Sequence, residues 1–141
     1  GRWSVLSGVH QAVIAAISAV PGVLAVSAHC SHSYIDGACL YFTFAAQPAS
    51  ADGSTPASPD EVDALYVSLW DAGTHAVHAN GGSLSHHHGV GLNRSRFVAD
   101  ALGGGLEVFR SVKASLDPKG IMNPGKMGLK SAYGSIGLLG E

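Results

Sequence analysis

Three consecutive histidines inside a glycine-rich segment form the densest group of chemically active side chains in this sequence. His86, His87 and His88 follow one glycine pair and precede Gly89-Val90-Gly91. Imidazole is the side chain best suited to proton transfer near neutral pH, and flanking glycines allow the backbone to approach a flat ligand closely. In an extended segment His86 and His88 would share one side, with His87 on the other. The pattern predicts a catalytic or ligand-binding site in which the three histidines have different roles.

A metal site and a purely structural role are the alternatives for this triplet. His86 and His88 could supply two zinc ligands, but no cysteine pair, HExxH sequence or run of carboxylates completes a tetrahedral set. We therefore predict no bound metal. Histidines that only hydrogen-bond buried backbone stay open as the second alternative. For five other histidines we favour a surface position or a hydrogen-bonded position in the core, without a chemical role: His10, His29, His32, His75 and His78.

The orientation of Tyr41 depends on a predicted strand. Residues 37–46 have the β-branched and aromatic content of a strand. The period of two places Tyr41 on the face opposite Phe42 and Phe44, away from the apolar face that helices would cover.

Hydrophobic spacing assigns the elements that come before the histidines. Apolar residues recur every three or four positions from Trp3, which predicts an amphipathic helix that ends at Pro21-Gly22. Residues 23–34 and 37–46 are predicted to form a hairpin. Because two strands alone make a marginal sheet, we expect further strands from a part of the protein outside this sequence. Residues 47–58 form a polar loop to which we assign no chemistry.

The next helix has clear start and stop signals. Ser58-Pro59-Asp60-Glu61 combines a capping box with a proline at the first helical position. This pattern predicts a helix through Ala79, ended by Asn80-Gly81-Gly82. Its predicted buried stripe consists of Val62, Leu65, Leu69, Ala72 and Ala76.

A third helix is predicted over residues 95–115, with an interruption at Gly103-Gly104-Gly105. Interior glycines destabilise a helix, so we expect close packing or a kink there. The predicted buried stripe of this helix consists of Val98, Leu102, Leu106, Phe109, Val112 and Leu116. The element order predicts an α+β fold with two layers, helices on one face of an antiparallel sheet, and an irregular C-terminal tail.

Composition excludes several classes of protein. The chain has 141 residues, 46% hydrophobic and 13% charged, which suits one compact core and excludes a disordered or coiled-coil protein. A net charge of −2 argues against nucleic-acid binding. Seven basic residues lie between positions 94 and 130 and could face a phosphate, with a solvated basic surface as the alternative. Cys30 and Cys39 indicate buried thiols in a reducing compartment, and residues 12–28 are too short and weakly apolar to span a membrane.

These motifs together resemble the C-terminal part of the alkyldihydroxyacetonephosphate synthase family, flavoenzymes of the vanillyl-alcohol-oxidase type. The resemblance runs from Trp3 to about Leu129 and rests mainly on residues 37–42, 80–91, 111–113 and 117–118. The ending over residues 117–126 is shared by many FAD-linked oxidases. Relatives acting on D-lactate or glycolate usually carry a single Glu-His-Gly where His86 to Gly89 stands.

The resemblance implies an activity and a set of site residues. Residues 1–116 would be the cap, or substrate, domain, and residues 117–141 a segment returning to an FAD-binding domain. The acyl group of acyl-dihydroxyacetone phosphate would be exchanged for a fatty alcohol without net redox change. Tyr41 would transfer a proton with help from His87, while His86 and His88 position flavin or substrate. A free phenol has a pKa of about 10, so a tyrosine base needs neighbours that stabilise its anion. An ordinary strand aromatic is the alternative for Tyr41. The residues implied to hold the FAD cofactor are His87, His88, Asn123 and Lys126.

The implied partners are the FAD-binding domain of the same enzyme and the two lipid substrates. The chain contains no phosphate-binding loop, since Gly103-Gly104-Gly105 lies within a predicted helix, so most of the flavin site must lie elsewhere and the isolated chain is expected to be inactive. We expect a cytoplasmic enzyme with no nucleic-acid partner and no membrane span; a homodimer and peripheral membrane association are left open. Oxidation of a D-2-hydroxy acid and a non-catalytic interaction domain are the alternative functions.

Overall fold

The computed structural model describes residues 1–48 and 57–134, in two compact units. The first unit spans Gly1–Ser83 and the second spans Leu84–Glu141. The elements in order are α1 (Trp3–Ser18), β1 (Val23–Ser33), β2 (Ala38–Ala46), α2 (Pro59–Ala79), a 3₁₀ turn (Ser95–Phe97), α3 (Val98–Leu102) and α4 (Gly105–Leu116). The predicted α+β class is confirmed, as are the first helix, the hairpin and the second helix.

The hairpin is closed by a short turn and by the start of the chain. β1 and β2 pair antiparallel, with irregularities in register between Val23 and Ala25 and between Cys30 and His32. Residue Arg2 forms an isolated bridge with Gly37. A Cβ atom at Gly37 would lie 2.1 Å from the carbonyl oxygen of Gly1, so this close approach requires glycine.

Trp3 ties the first helix to the hairpin turn. Its indole Nε1 lies 3.2 Å from the carbonyl oxygens of both Tyr34 and Ile35, to which it donates hydrogen bonds. The backbone nitrogen of Trp3 also donates a hydrogen bond of 3.1 Å to the carbonyl oxygen of Asp36. The orientation of α1 is therefore fixed at its N-terminus by the turn that joins the two strands.

The core of the first unit lies between α1, α2 and one face of the hairpin. Its buried side chains are Val9, Val13, Ile17 and Leu69. Phe42 and Phe44 pack against this cluster from β2, as the period of two predicts. A Cβ atom added at Gly73 would lie 3.1 Å from Ile17 Cδ1, so Gly73 lets α1 and α2 approach closely.

The predicted stripe of α2 is partly wrong at its first turn. Val62 is 47% exposed, whereas Leu65 and Ala76 do pack against the core. The buried glycine in the centre, Gly73, was not part of the predicted stripe. The first side chain of α2 that packs against the core is Leu65, so the buried face of this helix begins one turn later than predicted.

Both ends of α2 have the predicted caps. The backbone nitrogen of Glu61 donates to Ser58 Oγ at 3.3 Å, and the backbone nitrogen of Ser58 donates to Glu61 Oε2 at 2.7 Å. At the other end Gly81 has φ +75°, and the nitrogen of Gly82 donates to the carbonyl oxygen of Val77 at 2.9 Å. Residues 49–56 of the polar loop lie outside the described residues.

The structure corrects the prediction of one interrupted helix over residues 95–115, because this segment forms a 3₁₀ turn and two separate helices. The 3₁₀ turn leads directly into α3, which is capped by Gly103 with φ +50° and ψ −128°, and α4 starts at Gly105. A Cβ atom at Gly103 or Gly104 would meet no atom within 4 Å. Close packing is therefore not the reason for these two glycines. The positive φ requires glycine at position 103, whereas Gly104 has φ −60°, which any residue can adopt.

The predicted continuous stripe of this segment is wrong. Val98 and Leu106 are buried, but Leu102, Val112 and Leu116 are exposed. A helical period places residues on one face only while the helix is continuous, so residues before and after Gly103 no longer share a face. Val112 and Leu116 lie on α4 together with Leu106, so the break does not account for their exposure.

The tail is irregular where it is described, as predicted. Residues 117–134 contain turns and bends but no helix or strand. Within residues 1–48 and 57–134, no helix combines the length and apolarity that crossing a lipid bilayer requires.

Candidate functional site

The histidine triplet lies on a tight turn, and the extended arrangement considered from the sequence is not found. The nitrogen of Gly89 donates to the carbonyl oxygen of His86 at 3.4 Å, and Gly89 has φ +77°. The hydroxyl of Ser85 donates to the carbonyl oxygen of Gly89 at 2.7 Å, and Arg94 Nη1 reaches the same oxygen at 3.4 Å. Glycine at position 89 provides the left-handed conformation that closes the turn.

The turn brings the three imidazole rings into a continuous row. The ring centroids of His86 and His87 are 4.3 Å apart, and those of His87 and His88 are 4.5 Å apart with planes at 24°. His87 therefore lies next to both of the other rings rather than on the opposite side of the backbone. His86 is half-buried, while His87 and His88 are exposed. The row offers donors and acceptors of protons to a ligand in solvent contact.

Tyr41 occupies the predicted outer face of β2. It is 47% exposed and lies opposite His29 in the strand register. The two rings stack with centroids 5.5 Å apart and planes at 22°. The predicted orientation of Tyr41 is thus confirmed. The structure adds an imidazole neighbour, His29, for which the sequence predicted no chemical role. Aligning the two predicted strands across the hairpin turn would have placed His29 near Tyr41.

Asn123 and Lys126 lie in the irregular tail of the second unit. Asn123 is exposed and has φ +46°, and Lys126 is half-buried. The histidine row belongs to the same unit, whereas Tyr41 belongs to the first. Proximity between Tyr41 and the histidines therefore stays a prediction.

Asp117 holds the start of this tail, and its environment shifts its titration. The Lys113 ammonium, with the backbone N–H groups of Met122 and Ile121, holds the pKa of the Asp117 carboxyl below its ordinary value. In residues 1–48 and 57–134 no three His, Cys, Asp or Glu side chains converge as metal ligands.

Comparison with known families identifies the domain. Residues 2–127 match the family described as FAD linked oxidases, C-terminal domain. The chain belongs to this family.

Individual relatives of this FAD-linked oxidase domain include two proteins named alkyldihydroxyacetonephosphate synthase. The one from Dictyostelium discoideum is 38% identical over 103 residues, and the one from Trypanosoma brucei brucei is 34% identical over 104; each match covers 72% of this chain. An uncharacterized FAD-linked oxidoreductase, YgcU of Escherichia coli strain K12, is 27% identical over 129 residues, 89% of the chain and 26% of that protein. The chain spans only 15% of the length of either synthase.

The side chains of this FAD-linked oxidase domain have chemistry that fits a flavin. The imidazoles of His87 and His88, the amide of Asn123 and the ammonium of Lys126 can all donate hydrogen bonds, and the ring carbonyls and phosphates of FAD accept them. The amide oxygen Oδ1 of Asn93 is buried and has no hydrogen-bond partner among the described residues. A buried acceptor of this kind requires a donor, and the flavin imide N–H is one such group.

Four further residues of the oxidase domain, one in the first unit and three in the second, were not predicted from the sequence. Asn93 and Ser85 have no spacing that marks them out, because their roles arise from the turn that follows the histidines. His29 was visible through strand pairing. Asp117 was visible as the acidic partner of Lys113 four positions earlier, a spacing that brings side chains together at the end of a helix.

Proposed function

We propose that the chain is the C-terminal part of a flavin-dependent enzyme that makes an alkyl ether from acyl-dihydroxyacetone phosphate and a fatty alcohol. The single observation that carries this proposal is the 38% and 34% identity to two proteins named alkyldihydroxyacetonephosphate synthase. In the proposed reaction the fatty acid leaves as a carboxylate, the alcohol oxygen takes its place on the carbon skeleton, and the alcohol loses its hydroxyl proton. No net oxidation occurs.

Tyr41 is the proposed proton-transfer residue. Its support is the exposed position on the outer face of β2, where the phenol can reach a substrate without unfolding the core. His29 stacks on Tyr41 with ring centroids 5.5 Å apart. A protonated imidazole in such a position can stabilise the negative charge of a phenolate.

The histidine row is proposed to serve proton transfer and binding together. His87 assists Tyr41, and His86 and His88 position flavin or substrate. The contact of His87 with both neighbouring rings supports a shared role, because protonation of one ring changes the electrostatic environment of the next.

FAD is proposed to be held in part by His87, His88, Asn123 and Lys126, with the remainder of its site in another domain. When bound, FAD supplies the electrophilic ring system on which the exchange depends. The proposed domain arrangement keeps residues 1–116 as cap and residues 117–141 as the segment that meets the FAD-binding domain. A cytoplasmic enzyme, a homodimer and peripheral contact with membranes belong to the same proposal. The two thiols are not buried as predicted, since Cys30 is exposed and Cys39 half-buried, but both are free, which agrees with a reducing compartment.

The test is product analysis with the flavoprotein that contains this chain. Incubation with acyl-dihydroxyacetone phosphate and an isotopically labelled fatty alcohol is expected to yield labelled alkyl ether and one fatty acid per ether formed. Mass spectrometry measures both. Release of fatty acid without incorporation of the label would contradict the proposal.

A second candidate function is oxidation of a D-2-hydroxy acid. It is favoured by a zebrafish relative named probable D-lactate dehydrogenase, mitochondrial, which is 34% identical over 73 residues, 51% of this chain. Anaerobic addition of D-lactate or glycolate would bleach the oxidised flavin absorption of such an enzyme. We expect no bleaching, because the proposed exchange has no net redox step.

A further inference from the structure

A loop in the second unit, residues 117–128, is fastened at its beginning by a buried carboxylate. Asp117 is only 7% exposed. Its Oδ1 accepts a hydrogen bond from the nitrogen of Ile121 at 3.1 Å, and its Oδ2 accepts one from the nitrogen of Met122 at 2.9 Å. The carboxylate thereby folds the first turn of the loop back toward its own starting point.

Lys113 connects this anchor to α4. Its ammonium donates to Asp117 Oδ2 at 2.6 Å and also to the carbonyl oxygen of Met122. Hydrogen bonds between ionised groups are stronger than neutral ones. One ammonium therefore holds both the carboxylate and the loop backbone against the end of the helix.

Ser95 fastens the other end of the loop. The nitrogen of Gly128 donates to Ser95 Oγ at 2.8 Å, across 33 positions of sequence. A Cβ atom at Gly128 would lie 3.2 Å from Val98 Cβ, and Gly128 has φ +72°. The loop end is thus seated directly against the start of α3, where only glycine fits easily.

The backbone between the two anchors has an unusual conformation. Asn123 and Met127, with φ +46° and +58°, are the non-glycine residues with positive φ in the part of the chain that the structure describes. This region is sparsely populated for such residues and persists where the surroundings impose it. The anchors at Asp117 and Ser95 supply that constraint, and the constrained stretch contains both Asn123 and Lys126.

We propose that Asp117 and Ser95 are positioning residues that hold loop 117–128 in the conformation in which Asn123 and Lys126 bind FAD. The inference rests on the proposed function, since it takes the loop as a part of the flavin site. Asp117 and Ser95 act through the loop backbone rather than on the cofactor. Fixing the loop before FAD arrives lowers the apparent Kd, because that constant rises in proportion as the binding-competent fraction falls.

The experiment compares anchor variants with controls in the full flavoprotein that contains this chain. Asp117→Asn and Ser95→Ala are each expected to raise the Kd for FAD about tenfold or more, if the competent loop falls to a tenth of the population, and to shift the visible absorption bands of bound flavin. Leu106→Ala removes a buried side chain of the same unit without touching either anchor. Glu107→Gln removes an exposed ion pair with Arg110 on the same helix. Both controls should retain the wild-type Kd and spectrum.

Amide hydrogen exchange of the apoprotein gives a readout that does not involve flavin. The amides of Ile121 and Met122 should lose protection in Asp117→Asn, and the amide of Gly128 should lose it in Ser95→Ala. If Asp117→Asn does not fold, the Kd for FAD, the flavin spectrum and the exchange of the Gly128 amide in Ser95→Ala test the inference on their own.

Two outcomes would overturn the inference. One is a wild-type Kd and flavin spectrum in the anchor variants although their loop amides exchange faster. The other is an equal rise in Kd for Leu106→Ala, which would assign the effect to general stability. A wild-type flavoprotein that binds no FAD would instead overturn the proposed function. This outcome can be told apart from failure of the loop inference, because hydrogen exchange still measures whether the two anchors protect the loop amides.

Discussion

Tyr41 shares the outer face of the hairpin with His29, and the stacked pair is exposed to solvent. Removing only the hydroxyl of Tyr41 leaves the ring, its stacking and the strand pairing in place. We expect Tyr41→Phe to reduce ether formation by about two orders of magnitude or more, the scale of a general acid or base, with unchanged FAD content. Steady-state assays and flavin absorption check this.

Tyr66→Phe is the matched control for Tyr41→Phe. Tyr66 lies on α2, is also exposed and has no proposed role, so its variant should retain full turnover. Wild-type turnover in Tyr41→Phe would remove Tyr41 from the proton-transfer step.

Asp117 makes stability depend on pH in a defined direction. Its pKa is lower in the folded protein than in the unfolded chain because of Lys113 and two backbone N–H groups. The stabilisation is therefore fully present above the unfolded pKa, about 3.9, and is lost as pH falls through the folded pKa. The stability difference between wild type and Asp117→Asn should be constant at neutral pH and shrink below about pH 4. Urea unfolding at a series of pH values measures it.

A difference that stays constant down to the most acidic conditions would show that the carboxylate charge is not what stabilises this loop. Glu107→Gln serves as the reference variant, because its carboxylate is exposed on α4 and exposed ion pairs contribute little.

At the scale of elements, two helical glycines should respond in opposite ways to added side chains. Gly8 on α1 has space for a Cβ atom, whose nearest contact is Asn80 Oδ1 at 4.0 Å. Gly8→Ala should raise the free energy of unfolding by about 0.5–1 kcal/mol through helix propensity. Gly73→Val should lower it by about 1–3 kcal/mol, because Ile17 Cδ1 lies only 3.1 Å from the added Cβ position. Urea denaturation compares both variants with wild type, and stabilisation by Gly73→Val would contradict the close approach of α1 and α2.

The elements of the first unit could be predicted because their signals are local. Apolar spacing in α1, alternation in β2 and the capping box at Ser58 each specify an element within a few residues. The predicted burial of Val62 was wrong because apolar spacing identifies the face of a helix that is buried but not which of its turns the core covers. The burial of Gly73 was not predicted, because a residue without a side chain carries no hydrophobic signal.

The second unit was harder to predict because backbone conformation decides its geometry. The glycines at 103–105 indicated a disturbance of the helix, but only the φ of Gly103 shows that it ends α3. The histidine triplet was correctly identified as the densest chemical group, yet its row of contacting rings follows from the turn at Gly89. The anchored loop depends on Ser95 and Gly128, which are 33 positions apart, and the sequence alone offers no sign of that pairing.

At the scale of the whole molecule, charge is divided between the two units. Seven of the eight basic side chains lie in the second unit, and the first has Arg2 against six acidic residues. Electrostatic attraction to a phosphate-bearing substrate is screened by salt. Raising ionic strength from about 0.05 to 0.5 M should therefore increase the KM for the proposed substrate, acyl-dihydroxyacetone phosphate, several-fold and leave kcat unchanged. The KM for the uncharged fatty alcohol is the internal control, and a phosphate-substrate KM independent of salt would assign the basic residues to solvent.

The division into two units also decides what intrinsic fluorescence can report. Both tryptophans, Trp3 and Trp70, belong to the first unit, and the second contains none. Trp3 is hydrogen-bonded to the hairpin turn, so its emission follows the docking of α1 on that turn. A tryptophan-detected melting curve of this chain therefore records only the Gly1–Ser83 unit. Coincidence with a curve from far-ultraviolet circular dichroism, which senses helices in both units, would mean that they unfold as one cooperative system, and separate curves would mean two.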